Sequence, residues 1–130
     1  AAMPIASRES LLGRRAILPF LEAEAVDVCI VDPLWNGVDE SIKMAALCEL
    51  NHVQVTPHHD CFIHAQLVAS TPAGCYVESF TDPERDPLQA ELFENPPKIA
   101  DGWVTLNDAP GLGLTLSEDA VAKFGERVEI

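Results

Sequence analysis

Positive charge is scarce in this chain. Eight Lys and Arg stand against 21 Asp and Glu in 130 residues, a formal charge of -13. The few cations are scattered among carboxylates, so no nucleic-acid partner is expected. No apolar run approaches the roughly 20 residues of a membrane span. The stretch Ala1-Ala2-Met3-Pro4 lacks the charged and apolar regions of a secretory leader, and no membrane association is expected. The four cysteines, Cys29, Cys48, Cys61 and Cys75, show no CxxC pairing and sit in apolar runs. They read as buried free thiols in a reducing cytoplasm. Internal repeats and low-complexity segments are absent too. What is present is an ordinary globular composition, 48% hydrophobic and 22% charged, in a length of at most one domain.

The chain is organised around Val53-Gln54-Val55-Thr56-Pro57-His58-His59-Asp60, a β-branched run that ends in two histidines and an acid. Upstream, Asp27-Val28-Cys29-Ile30-Val31-Asp32 is an apolar strand that also ends in an acid. Between them Val38 to Leu50 reads as the clearest helix, with Val38, Ile42, Ala45 and Ala46 on one side and Asp39 placed to pair with Lys43. In a right-handed βαβ unit both strand ends open on one face, roughly 4.8 Å apart, which brings Asp32 within reach of His58.

The same rhythm extends both ways. Met3 to Ala6 reads as a strand with Glu9 just past its end, and Leu11 to Ala23 as a helix started late or kinked by Pro19. Pro33 to Gly37 reads as a turn carrying Trp35, Phe62 to Ser70 as a helix, and Gly74 to Glu78 as a strand. Four β/α units of this kind imply a parallel sheet with helical crossovers. From Thr81 to Pro97 the Pro- and acid-rich sequence reads as an extended loop. Asp101-Gly102 signals a hairpin between Lys98-Ile99-Ala100 and Trp103 to Leu106, and Ser117 caps a last helix through Phe124. Pro110-Gly111-Leu112-Gly113 lacks the third glycine and the strand-to-helix setting of a phosphate loop.

Glu9, Asp32, His58 and Glu78 end four successive strands. Each alone has an ordinary explanation as a helix-start charge, a turn acid or a solvated strand end. Their coincidence is more informative, because the carboxyl ends of barrel strands form the active face and titratable groups there are costly unless used. An Asp bonded to one ring nitrogen of a His fixes its tautomer and leaves the other nitrogen as a general base near neutrality, the role assigned to Asp32 and His58. Glu9 is a suitable oxygen ligand for Mg²⁺, though one carboxylate is too few to hold the ion.

Several short motifs in order carry a resemblance. Pro4-Ile5-Ala6-Ser7-Arg8-Glu9, Val26 to Asp32, Trp35-Asn36-Gly37, Lys43 to Leu47, Val55-Thr56-Pro57-His58 and Asp108 to Gly113 together resemble the carboxyl-terminal half of the enolase superfamily, in its mandelate racemase branch and nearest its acid-sugar dehydratases. The resemblance implies an α/β fold, the C-terminal part of a (β/α)₇β TIM-type barrel of about four β/α units. Residues 1–80 would be that half barrel, and 81–130 a loop, hairpin and helix packing back on the barrel or a capping domain. It further implies Glu9 as the third Mg²⁺ ligand, Asp32 and His58 as the catalytic dyad, and Glu78 as an acid bonding the substrate or intermediate. The shared chemistry is removal of the proton α to a carboxylate, followed in dehydratases by loss of the β-hydroxyl. Trp35 and His59 are assigned to the substrate pocket. Arg8 stands where the family commonly has Gly, and the other metal ligands and a second-strand lysine base have no counterpart here.

A half barrel leaves sheet edges open. A completing amino-terminal half or another chain is therefore expected as partner, with a homo-oligomer as the assembly and the cytoplasm as location. The 130 residues alone are expected to be inactive. Other readings are a racemase or epimerase, a cycloisomerase, a non-catalytic fragment, and a Zn²⁺-binding structural module built on His58, His59, Cys61 and His64. Against the last, the spacing fits no familiar zinc motif, and His64 is expected to face solvent or its own helix.

Overall fold

The computed structural model describes residues 3–80, 82–126 and 128. They form two units, Ala1–Glu78 and Ser79–Ile130. In the first, β1 (Ala6–Ser7), α1 (Arg14–Glu22), β2 (Val28–Ile30), α2 (Pro33–Asn36), α3 (Val38–Leu50), β3 (Gln54–Thr56) and α4 (Cys61–Ala69) follow one another. The strands make one parallel sheet in the order β1-β2-β3, as alternating strand and helix patterns require. Because successive strand residues face opposite ways, Cys29, Val31 and Val55 are wholly buried and pack with Ile17 and Leu21 of α1, Met44, Ala45 and Cys48 of α3, and Leu67 of α4. Full burial of each aliphatic side chain of this size stabilises by about 1.5–3 kcal/mol. None of the four cysteines is in a disulfide, and Cys75 is only partly buried.

The register places the site. Ile30 pairs with Thr56, so two residues further on Asp32 stands beside His58. Gly74 bridges to Val55, which carries Glu78 to the level of His59.

Several expectations are corrected. The strand expected over Gly74 to Glu78 is reduced to that one bridge and to the Cys75 amide donating to the Val55 carbonyl at 3.0 Å. Beyond it the Thr56 hydroxyl takes the Tyr76 carbonyl at 2.9 Å, so a side chain ends the main-chain ladder. Gly74 itself is fixed by close approach, since a Cβ there would lie 2.2 Å from the Val68 carbonyl oxygen. The turn expected at Pro33 to Gly37 is the helical turn α2: the Asp32 side chain accepts from the Leu34 amide at 2.8 Å, and Pro33 presets the first helical φ. In α3 the buried row is Ser41, Met44, Ala45 and Cys48, while Val38 and Ile42 are half exposed. The Ser41 hydroxyl donates to the Gly37 carbonyl at 2.8 Å, which lets a polar residue take the inner position. Helix α1 begins at Arg14 and carries Pro19 in its interior.

In the second unit Thr81, where the extended loop was expected to begin, lies outside the described residues. The rest of that stretch is not all loop: α5 (Pro87–Glu91) forms because Asp86 accepts from the Gln89 amide at 3.0 Å and Pro87 opens the helix. The hairpin of β4 (Lys98–Ala100) and β5 (Trp103–Thr105) turns at Asp101 and Gly102, with φ of 52° and 81°, the pair of positive values that a two-residue turn demands. Helix α6 (Glu118–Phe124) is capped by the Ser117 hydroxyl, which accepts from the Ala120 amide at 3.2 Å. No helix among the described residues is long and apolar enough to cross a membrane.

Candidate active site

The carboxyl ends of β1, β2 and β3 and the segment after Gly74 converge on the His58 ring. Its Nδ1 lies 3.5 Å from Glu9 Oε1 and 3.7 Å from Asp32 Oδ2, and its Nε2 lies 3.8 Å from Glu78 Oε2. Four residues spread over 70 positions of sequence thus meet at one imidazole. The ring is partly exposed, at 39%, whereas Asp32 is 2% exposed. An open, titratable ring with an acid fixed behind it is the arrangement that a proton-transfer site requires. At 3.7 Å the expected hydrogen bond between Asp32 and His58 is not formed in this structure, and Glu9 is the nearer acid.

Backbone shape aims these groups. Arg8 has φ 95°, a conformation that favours glycine, and this twist ends β1 and redirects Glu9 from its strand parity. The Arg8 guanidinium carbon sits 3.7 Å above the centre of the Phe20 ring, so the cation is engaged by an aromatic face. Beside it a cavity of about 380 Å³ is lined by Ala6, Arg8, Glu9, Leu11 and Ile30 among others. His59 and Asp60 are both left-handed, with φ of 55° and 43°, strain that is held only where surroundings over-determine it. Here the Glu78 carboxylate accepts from the His59 amide at 2.7 Å, and His64 Nδ1 lies 3.0 Å from the His59 carbonyl oxygen.

His64 is the residue that sequence reasoning placed wrongly. Instead of facing solvent or its own helix it is fully buried, with Nε2 3.5 Å from Asp32 Oδ1. Helical spacing from Cys61 through His64, Ala65 and Leu67 would have located it, had the helix been started at Cys61. Burial draws the His64 ring below the ordinary imidazole range, opposed by the charges of Asp32 and Asp60 and by the carbonyls of His59 and His58. Trp35 lies on α2, just past Asp32, and is 66% exposed. Among the described residues no group of three or more His, Cys, Asp or Glu is arranged to hold a metal ion.

The parallel β/α sheet thus presents one histidine faced by three carboxylates at its strand ends. Residues 1–120 match the family described as enolase C-terminal domain-like, and the chain belongs to that family. It is 31% identical to the D-galactarolactone cycloisomerase of Agrobacterium fabrum, over 94% of this chain and 35% of that protein. A mandelate racemase/muconate lactonizing enzyme from a marine actinobacterium, solved in complex with magnesium, superposes with a TM-score of 0.85 at 30% identity, covering 92% of this chain and 34% of that one. The L-talarate dehydratase of Polaromonas sp. JS666, complexed with Mg and L-glucarate, gives 0.77 at 32% identity over 92% of this chain and 32% of its own. The chain spans about a third of the length of these relatives. It is an α/β chain that corresponds to part of the barrel domain of the mandelate racemase and muconate lactonizing enzymes, with a parallel sheet and a hairpin.

Proposed function

We propose that this chain contributes the dyad half of a Mg²⁺-dependent acid-sugar dehydratase, with residues 1–80 as the carboxyl-terminal half of a (β/α)₇β barrel. The observation that carries the reading is the His58 ring, met by Glu9 and Asp32 on its Nδ1 side and by Glu78 on its Nε2 side. His58 takes the proton α to the substrate carboxylate through Nε2, the nitrogen away from Asp32. Asp32 holds the ring in orientation, and Glu78 bonds the substrate. The protonated ring then gives its proton to the departing β-hydroxyl, so one Cα–H and one C–O bond break and water leaves. Trp35 and His59 line the pocket.

Glu9 is half exposed and offers one carboxylate oxygen, which suits Mg²⁺. Its remaining ligands come from outside these residues. When bound, the ion supplies positive charge against the substrate carboxylate. The exposed edge of β1 and the missing ligands both call for a completing half, from the same polypeptide or another chain, with a homo-oligomer as the assembly.

The test uses the complete polypeptide that carries these residues, incubated with Mg²⁺ and a panel of sugar acids in D₂O. A dehydrated keto acid carrying deuterium on the carbon that lost its hydroxyl is expected, and it disappears in His58→Asn. Exchange without water loss, ending in a rearranged lactone, would favour the cycloisomerase reading that one relative's name raises. The 130 residues by themselves are expected to show neither product.

A further inference from the structure

Both ring nitrogens of His64 face oxygen atoms in a site without water access. Nδ1 lies 3.0 Å from the His59 carbonyl oxygen, which only accepts, so Nδ1 carries a proton. A neutral imidazole has no second one. Nε2 is then a lone pair directed at Asp32 Oδ1, 3.5 Å away, and it has no hydrogen-bond partner among the described residues. Asp32 is equally enclosed: Oδ1 accepts from the Leu34 amide at 2.8 Å, and Oδ2 lies 3.7 Å from the His58 ring. A neutral ring beside an ionised Asp32 therefore buries one net negative charge and sets two lone pairs against each other. Adding a single proton to the pair removes both penalties.

We propose that Asp32 and His64, whose Oδ1 and Nε2 face each other at 3.5 Å, form a buried pair that holds a single proton, and that His64 through this pair positions Asp32 behind His58. The catalytic part of this proposal rests on the dehydratase reading; the proton count does not. Burial and the surrounding charges act on the pair together. Burial is the largest influence and holds the His64 ring below the ordinary imidazole range, against the opposing pull of Asp32 at the end of β2, Asp60 at the start of α4 and the carbonyls of His59 and His58. The form that satisfies both is the one without net charge. The ring then links both flanks of the loop: its Nδ1–H donates to the carbonyl of the left-handed His59 at 3.0 Å, and its Nε2 faces Asp32. His58, next to His59 in sequence and 3.7 Å from Asp32, is thereby held in place.

The complete polypeptide, labelled with ¹⁵N-histidine, reports the pair directly. At neutral pH the His64 signals, assigned by their loss in His64→Gln, are expected to show a protonated Nδ1 and an Nε2 that is protonated or shares its proton. An Nε2 with the signature of a bare lone pair overturns the pair. In Mg²⁺-dependent α-proton exchange, His64→Phe is expected to lower kcat by about tenfold to a hundredfold with KM nearly unchanged, and His64→Gln, which keeps a donor, to recover part of it. A folded His64→Phe protein with the parent kcat overturns the positioning role. Should His64→Phe fail to fold, His64→Gln and the ring signals still decide. If no sugar acid exchanges in the parent, the dehydratase reading fails and the ring signals alone decide the pair.

Discussion

The two units of this chain are built on different physics. Ala1–Glu78 holds twelve buried hydrophobic residues in one cluster, drawn from three helices and the sheet. In the second unit Ala120 is the only hydrophobic residue buried among those described. That unit is tied together by polar contacts. Asn95 and Asn107 both donate to the Gly113 carbonyl at 2.9 Å, Phe93 bridges Leu116, and Lys123 pairs with Glu91 at 2.7 Å. The last of these, an ion pair about half exposed on both partners, is worth about 0–1 kcal/mol. The comparison teaches where a demanding site can be placed. A partly exposed base whose partners must stay within tenths of an ångström needs a densely packed support, and every member of the proposed site stands on the first unit.

The sharpest way to break this contrast is to disable one side chain in each unit. His58→Asn is expected to cut Mg²⁺-dependent α-proton exchange by at least about a hundredfold, the scale of a lost general base. Lys123→Met should leave the rate unchanged, and a comparable loss there would sink the assignment of chemistry to the first unit. Next in size are the core substitutions. Ile17, fully buried, replaced by Ala should cost about 2–5 kcal/mol in urea unfolding, against about 0.5 kcal/mol for the half-exposed Val121 replaced by Ala. Equal costs would mean that the second unit has a core of its own. Gly74→Ala should cost about 1–3 kcal/mol through overpacking, because the added carbon meets the Val68 carbonyl oxygen; an unchanged urea midpoint would contradict that close approach.

The smallest effect concerns Glu40, which joins α3 to α1 by accepting from the Arg14 amide and its guanidinium, both at 2.9 Å. These bonds hold its carboxyl below the ordinary value of 4.5. A carboxyl lowered on folding contributes stability that is present above its unfolded value and is lost as pH falls through the folded one. Glu40→Gln should therefore lower the urea midpoint modestly at neutral pH, with the deficit vanishing on strong acidification. A deficit that persists in acid would assign the effect to packing.

Much of the secondary structure was legible because its signals are local and redundant. The helix Val38–Leu50 is found at the bounds that its pattern predicts, and the hairpin turns where Asp101-Gly102 demands positive φ. Helix α5 was not legible, since its Pro and Asp are loop residues by composition and cap residues by position. The fourth strand was over-read: Cys75 to Glu78 has the apolar alternation of a strand, but pairing is decided by the neighbour, and Thr56 supplies its hydroxyl instead. The buried face of α3 was misplaced by one residue because hydrophobicity ranks Val38 above Ser41, and only the contact with Gly37 makes the serine acceptable inside.

What the sequence determined by itself is the rhythm of strands and helices and the placing of a titratable residue at each strand end. Both follow from side-chain period and turn chemistry over a few neighbouring residues. What only the tertiary structure decided is which of those groups meet. The parallel register sets Asp32 beside His58, the twist at Arg8 turns Glu9 toward the same ring, and the packing of α4 buries His64 against Asp32. These are distances between residues far apart in the chain, fixed by how whole elements pack, and no local pattern encodes them.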